Sequence, residues 1–213
     1  MANLTEGTPQ RSHARSNRAR ILAAARQELS RDPEASIEDI TRAAGVVRRT
    51  LYGHFKNRQA LIAALAEEAR HALEQAFTRA RRPDADPATA MARMTLAVWE
   101  VGDRYRMLIS LARRDLGEEG VRAVLSPARE ETISILNRGQ QEGLFADHLP
   151  APVLAQALEA FLLTLVETND SPGWTDATGE AAATAALIAT GIPPADAADR
   201  VHAITDQGGA TTL

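Results

Sequence analysis

Several side chains between residues 36 and 58 can donate hydrogen bonds to an anion, and eight of them form the candidate set. They are Ser36, Arg48, Arg49, Thr50, Tyr52, His54, Lys56 and Arg58. Arginine offers a planar fork that fits a phosphate or the O6 and N7 acceptors of guanine, lysine acts as a point charge, and hydroxyl groups donate to phosphate oxygens. The set therefore predicts contact with the phosphates and base edges of DNA.

The residues around this set predict two short helices joined by a tight turn. Ser36 suits the N-cap of the first helix, and Asp39 is placed to complete a capping box. Gly45 suits the reversal because glycine adopts a positive φ without steric cost. The second helix buries Leu51 and Phe55 on one side and leaves its polar side chains around the rest. This is the layout of a helix-turn-helix DNA reader.

A third helix is predicted to start directly after this pair, with Asn57 as its N-cap. Lys56 and Arg58 flank that start, where a backbone phosphate could dock against cationic side chains and free N–H groups. Other roles stay open for some residues of the set. Tyr52 could be partly buried, His54 could be satisfied within the small domain, and each of the two arginines at positions 48 and 49 could bind only phosphate.

Three segments, RILAAARQEL, SIEDITRAAGV and TLYGHFKNRQAL, resemble the TetR family of bacterial transcriptional regulators over about 50 contiguous residues. The resemblance implies an all-α fold, with an N-terminal three-helix DNA-binding domain and a C-terminal helical domain for ligand binding and dimerisation. It also implies that Thr50 and Tyr52 touch the DNA backbone, that Lys56 contacts phosphate, and that residues around Arg48 and Arg49 face the bases.

Two positions depart from the family pattern. Val47 stands where a small polar or acidic cap is usual, and this loses about 1 kcal/mol of capping energy. Gly53 lies inside the short second helix and costs about 1 kcal/mol relative to alanine. We therefore hypothesise a recognition helix that becomes firm only on DNA, and strong amide protection across residues 48–54 of the free protein would refute this.

Charge is distributed unevenly along the chain. The net charge is −4, yet residues 1–60 hold 11 Arg and Lys against 6 Asp and Glu, while the remaining 153 residues hold 13 against 22. A basic reading head on an acidic body gives this asymmetry. Arg11, Arg15, Arg18 and Arg20 precede the first predicted core residues, and they could track phosphate or enter a minor groove or form an inert leader.

Helical periodicity continues along the rest of the chain. Helices are predicted at about residues 17–31, 58–80, 88–101, 103–112, 126–142, 152–168, 180–190 and 195–204, with Ser126 as an N-cap before Pro127. We predict four regions: a flexible basic arm at residues 1–15, a helix-turn-helix domain at 16–63, a helical ligand-binding and dimerisation domain at 64–204, and a frayed tail at 205–213.

The helical domain carries the expectations about partners. Helices 152–168 and 180–190 have apolar and alanine-rich surface that predicts a homodimer through an intermolecular four-helix bundle, as the resemblance also implies. A symmetric dimer requires a near-palindromic operator, with recognition helices about 34–36 Å apart or a compatible multiple. Met94, Trp99, Tyr105 and Phe161 are the candidate lining for an unknown small-molecule effector, although ordinary core packing explains each of them as well.

Composition excludes several other classes. The chain has no cysteine, so disulfides and thiolate metal sites are excluded. His71, His148 and His202 lie far apart without clustered carboxylates, and no glycine-rich phosphate loop is present, so we predict no catalytic site, metal or cofactor. No apolar run approaches the roughly 20 residues that cross a bilayer, and we expect cytoplasmic residence. Two classes remain: a ligand-responsive DNA-binding repressor, or a helical small-molecule-binding protein or enzyme with a vestigial head.

Overall fold

The structure is a computed structural model, and it describes the backbone of residues 8–209 and the side chains of residues 13, 15–106, 108–109 and 111–206. Eight helical elements cover this part of the chain: α1 Thr8–Arg31, α2 Ile37–Ala43, α3 Arg48–His54, α4 Arg58–Ala80, α5 Pro87–Gln141, α6 Ala151–Thr168, α7 Glu180–Ala189 and α8 Pro194–Gly209. The element α5 consists of two helices joined across a kink at Gly117. Within these residues the β-structure is a single isolated bridge between Ser171 and Trp174. The predicted all-α fold is confirmed.

The chain divides into two compact units. The first holds the described part of residues 1–68 together with Met107–Val121, and the second holds Ala69–Arg106 together with the described residues from Arg122 onward. The first unit is therefore built from two separate stretches of sequence. The predicted domains were contiguous, at residues 16–63 and 64–204, because periodicity along the chain carries no information about which distant helix packs on which.

Apolar side chains at helical spacing form the core of the first unit. On α1, Ile21, Ala25 and Leu29 are fully buried. Leu61, Ile62 and Leu65 on α4 are buried as well, as their spacing predicted. Burying each of these larger aliphatic side chains contributes about 1.5–3 kcal/mol, which holds the short helices α2 and α3 in place between longer ones.

The first helix starts earlier than its sequence predicted. α1 begins at Thr8 and not near residue 17, so residues 8–15 of the expected flexible arm are helical, and residues 1–7 lie outside the described part. Pro9 falls in the first turn, where a helix needs no N–H donor and proline is well tolerated. The apolar pattern that begins at Ile21 hid this extension, because the added turns are polar and have no periodic stripe.

Two helices that meet at a kink at Gly117, together labelled α5, replace three predicted pieces in the middle of the chain. α5 runs through residues 102 and 103, where the sequence predicted a break. Gly102 is helical and serves close packing, since a Cβ added there would lie 3.0 Å from a methyl carbon of Val166 on α6. The one non-helical residue inside α5 is Gly117, with φ 71° and ψ 178°, a backbone conformation that favours glycine.

The predicted N-cap at Ser126 is wrong, because Ser126 and Pro127 lie inside α5. Proline has no N–H to donate to the carbonyl four residues earlier, which is that of Ala123. The Ser126 hydroxyl donates to this Ala123 carbonyl instead, at 3.0 Å. The hydrogen bond from Ser126 thus satisfies the carbonyl that Pro127 leaves without a donor, and the helix continues through the proline.

The last three helices belong to the second unit. α6 and α7 begin within one residue of the predicted positions, whereas α8 continues to Gly209, five residues into the predicted tail, and residues 210–213 lie outside the described part. Of the described helices, α6 is the only one that is long and apolar enough to cross a membrane. From the sequence we expected no apolar run long enough to cross a bilayer. Leu154, Leu158 and Val166 are nevertheless buried within its own unit, as in a core helix.

Candidate nucleic-acid interface

The ends of α2 are closed by local hydrogen bonds. The Ser36 hydroxyl accepts from the Asp39 amide at 3.2 Å, and the Ser36 amide donates to the Asp39 carboxylate at 3.0 Å, which completes the predicted capping box. The Ser36 hydroxyl also donates to that carboxylate, and these bonds hold the pKa of Asp39 below its usual value. The capping contribution is therefore present at neutral pH and is lost as pH falls through the lowered pKa.

The turn after α2 is a Schellman motif. The Gly45 amide donates to the Arg42 carbonyl at 3.1 Å, and the Val46 amide donates to the Thr41 carbonyl at 3.0 Å. Gly45 has φ +61°, as the predicted reversal required. This closed turn sets the direction in which the chain enters α3.

α3 is held by its buried side and has no side-chain cap. Val47 occupies the N-cap and makes no capping hydrogen bond, which confirms that prediction. Leu51 is fully buried and Phe55 is nearly so, and the Phe55 amide closes the helix on the Leu51 carbonyl at 2.8 Å. The apolar side thus fixes which face of α3 points outward.

The outward face carries the predicted polar set. Arg48, Arg49, Tyr52 and Lys56 are exposed, while the side chains listed next are half-buried: Thr50, His54 and Arg58. Tyr52 keeps 39 % of its surface accessible, so its ring is partly buried while part of the side chain faces outward. The His54 ring lies 6.3 Å from the Phe55 ring, at the edge of the small core.

A cluster of three side chains organises one end of this face. Arg48 pairs with Glu38 of α2 at 2.5 Å, donates to the Tyr52 hydroxyl at 3.4 Å, and lies 5.6 Å from the centre of the Tyr52 ring. Glu38 was missed by the sequence reading, because its contact with Arg48 crosses the turn and has no helical spacing. In the free protein the carboxylate neutralises a charge that DNA phosphates or bases would otherwise attract.

Two members of the predicted set have internal partners. The guanidinium of Arg58 donates to the carbonyls of Ala35 and Pro33 at 2.5 and 2.7 Å, and so ties α4 to the loop before α2. Ser36 is occupied by the capping box. Asn57 accepts from the Ala60 amide at 2.8 Å, which confirms it as the cap of α4. Arg58 and Ser36 thus position the reading helices in the free protein.

Two arginines of the predicted arm also pack within the first unit. The guanidinium of Arg18 lies 5.4 Å from the centre of the Phe55 ring, and Arg20 donates to the Gly45 carbonyl at 3.3 Å. Arg15 is exposed, and the side chain of Arg11 lies outside the described residues. α1 therefore supports both the turn and the end of α3.

The four candidate ligand residues have different surroundings in the described part of the structure. Trp99 is buried and its indole N–H donates to the Asp176 carbonyl at 3.0 Å, which gives it a structural role. Tyr105 is buried, and Phe161 is exposed on α6. Met94 alone of the four borders a cleft near the end of α4. Among the described residues, no group of three His, Asp or Glu side chains could hold a metal ion.

Comparison with known proteins agrees with this geometry. Residues 21–65 match the sequence model of the bacterial regulatory proteins of the tetR family. No curated protein matches the chain. The family match spans α2, α3, their turn and the adjoining parts of α1 and α4, which are the elements that build the exposed polar face.

Solved structures show the same fold over most of the chain. A TetR-family regulatory protein from Rhodococcus RHA1 has a TM-score of 0.71 at 19 % identity and covers 83 % of this chain and 98 % of its own. LfrR from Mycobacterium smegmatis, in complex with proflavine, has 0.63 at 21 %, covering 83 % and 95 %. FadR from Bacillus subtilis, in complex with stearoyl-CoA, has 0.66 at 18 %, covering 82 % and 99 %.

The family match covers one segment of the molecule, whereas the fold likeness covers most of the chain. The match assigns the helix-turn-helix domain, and the likeness extends the architecture of these regulators through the helical second unit. Residues 21–65 are thus similar to the DNA-binding domain of the tetR family, and the chain shares the fold of regulators of that family over most of its length.

Proposed function

We propose that this protein is a homodimeric repressor that binds a near-palindromic operator and is released by a small-molecule ligand. It acts in the cytoplasm and has no catalytic activity. The observation that carries the proposal is the exposed face of α3, where Arg48, Arg49 and Tyr52 stand outward beside Lys56 while Leu51 is buried behind them. This face matches the side chains that read a major groove and its flanking phosphates.

The residues on this face divide the work of binding. Lys56 and the Thr50 and Tyr52 hydroxyls contact phosphates, which contribute affinity without sequence preference. Arg48 and Arg49 contact base edges and contribute the preference. Arg48 must leave Glu38 before it can contact DNA. Its contribution to the binding free energy is therefore the difference between its interaction with DNA and its interaction with Glu38.

Homodimerisation is supported by the exposed apolar side chains of α6 and α7. Val153 and Phe161 on α6 and Ile188 on α7 are the large apolar residues exposed there, at 51, 39 and 41 %. Large exposed apolar side chains on adjacent helices are typical of surfaces that a second copy covers. Ligand control is supported by the relatives that were crystallised with proflavine and with stearoyl-CoA.

The test is a salt series of DNA binding with the DNA that flanks the protein's own gene. Retention should fall by orders of magnitude as salt rises, because several phosphate contacts release counterions. Lys56→Ala should weaken binding to all sequences alike and make the salt slope shallower. Arg48→Ala and Arg49→Ala should relax preference at particular base pairs by about 1–3 kcal/mol.

Arg104→Ala is the matched control, since Arg104 belongs to the second unit and pairs with Glu100. Equal losses for Lys56→Ala, Arg48→Ala and Arg49→Ala on every operator variant would reject the division of labour. Absence of retention on any candidate DNA at low salt would favour the alternative, a helical small-molecule-binding protein or enzyme with a vestigial head.

A further inference from the structure

A cleft of about 310 Å³ opens within the second unit, at the C-terminal end of α4. Its apolar wall is formed by Phe77 of α4 and by Met94 and Ile135 of α5. Its charged rim consists of Arg81, Arg82, Arg138 and Glu131, and we call the whole site the arginine cleft. The volume lies at the lower end of the range of small-molecule sites, about 300–1,000 Å³, so a ligand that fits is small.

The side chains of the apolar wall are held in place by burial. Phe77, Met94 and Ile135 are each buried to more than 90 %, so the small part of each that stays accessible is presented by side chains with fixed positions. Contact with this wall excludes water from an apolar ligand and favours binding by about 25 cal/mol per Å² buried. The wall therefore suits an aryl ring or a short alkyl chain.

The rim is strongly cationic, with three guanidinium groups and one carboxylate. Arg81 pairs with Glu131 across the cleft, at 2.5 Å. Arg82 donates to the carbonyls of Arg79 and Arg81 at the end of α4, and so its partners carry no formal charge. Arg82 thus contributes a positive charge to the rim that these hydrogen bonds do not neutralise.

Arg138 is the clearest case of an incompletely matched group. Its Nη2 donates to the Ala85 carbonyl at 2.9 Å, while its Nε is buried and has no hydrogen-bond acceptor. A carboxylate oxygen of Glu142 lies 4.0 Å from this Nε, which is close enough for an ion pair and too far for a hydrogen bond. A buried N–H without an acceptor is unfavourable, and an anion that accepts from it removes that penalty.

We propose that the arginine cleft binds a small organic carboxylate whose apolar body contacts the wall and whose charge is held by the rim. Arginine is well suited to this task, since its fork donates two parallel hydrogen bonds to a carboxylate. Glu131 opposes the ligand by occupying Arg81, and the incoming carboxylate replaces it. That this carboxylate is the effector rests on the proposed function, whereas its binding does not.

Titration calorimetry and NMR on the full chain without DNA test the binding. Benzoate and hexanoate are the probes, and benzamide and hexanamide are their neutral counterparts of matched shape. We expect weak but saturable binding of the carboxylates and at least tenfold weaker binding of the amides, because hydrogen bonds to a charged group account for that difference. Equal binding of both classes, or no binding of either carboxylate, would overturn the proposal.

Variants locate the binding. Arg81→Gln should weaken carboxylate binding about tenfold, while Glu131→Gln should strengthen it because the competing carboxylate is gone. The double variant Arg81→Gln with Glu131→Gln keeps the net charge of the rim and should bind more weakly than Glu131→Gln alone. Arg104→Gln is the control, since it removes an equal charge outside the cleft. If Arg104→Gln and Arg81→Gln reduce carboxylate affinity equally, the loss comes from the change in net charge and not from a contact in the cleft, and the site is refuted.

Two further measurements separate the outcomes. Ala90 of α5 also lines the cleft. Ala90→Leu should fill the cleft and abolish carboxylate binding while thermal unfolding shows an intact fold; retained binding places the ligand elsewhere and refutes the site. DNA retention of the unliganded protein is measured in parallel. Carboxylate binding without retention of any DNA rejects the proposed function alone, and retention that saturating benzoate or hexanoate does not release rejects the effector role alone.

Discussion

The two helices of the DNA-reading pair have equal lengths of seven residues and differently built ends. α2 starts with a capping box and ends in a Schellman motif around Gly45. α3 starts at Val47 without a side-chain cap and includes Gly53. α2 is therefore stabilised by its own local hydrogen bonds, whereas α3 depends on two buried side chains, Leu51 and Phe55.

This difference assigns the two helices different parts in recognition. α2 is a fixed support, and its end directs the chain into α3. Because α3 lacks a side-chain cap and includes Gly53, we hypothesise that it gains its final order from the DNA that it contacts. Any ordering upon binding would reduce the net affinity, since the conformational entropy is lost at that step.

The largest expected effect comes from Leu51→Ala. Leu51 is fully buried and is the main attachment of α3, so its truncation should lower the free energy of unfolding by about 2–5 kcal/mol. Urea unfolding measures the change. Val47→Ala is the matched control from the same end of α3; Val47 is 66 % exposed and should change stability by less than about 0.5 kcal/mol. Similar losses for the two variants would contradict an α3 held by its buried side.

A smaller effect is expected from Ser36→Ala, which removes the acceptor of the capping box. The free energy of unfolding should fall by about 1 kcal/mol. Ser36→Asn keeps a side-chain acceptor for the Asp39 amide and should recover most of the loss in the same unfolding experiment. If asparagine and alanine destabilise the protein equally, the cap is not what stabilises α2.

The smallest effect is expected from Gly53→Ala, which should raise stability by about 0.5–1 kcal/mol through better helix propensity. A Cβ at this position meets no atom within 4 Å, so the gain is not offset by a clash. Amide exchange across residues 48–54 should slow in the variant. Gly45→Ala is the opposing control, and it should destabilise because the residue has φ +61°. Strong protection of residues 48–54 in the unmodified free protein would remove the contrast between α2 and α3.

The local structure of the helix-turn-helix domain was predictable from the sequence, because the residues that determine it lie within a few positions of one another. The capping box at Ser36, the turn at Gly45, the uncapped Val47 and the cap at Asn57 each depend on partners no more than five residues away. The bounds of α4 followed for the same reason. Local hydrogen-bonding rules decide such features, and the local sequence contains all the participants.

Distant partners explain what the sequence did not predict. Arg58 is predicted to bind DNA, and the carbonyl groups that accept from its guanidinium in the free protein lie more than 20 residues away in sequence. Trp99 finds its acceptor 77 residues along the chain. Glu38 reaches Arg48 only because the turn brings α2 and α3 together. Periodicity shows which side of a helix is buried and does not identify its neighbour.

The first unit is built from two separate stretches of sequence, and this affects how DNA-binding units can be exchanged between related proteins. Glu34 pairs with Arg114, and the Gln59 amide donates to the Asp115 carbonyl, so the stretch around Gly117 belongs to the reading head although it follows α4 by more than 25 residues. A chimera cut after residue 68 would inherit that stretch from its other parent. Recombination that preserves the head must therefore transplant two pieces of gene together, which limits how freely evolution or engineering can swap operator preference between such proteins.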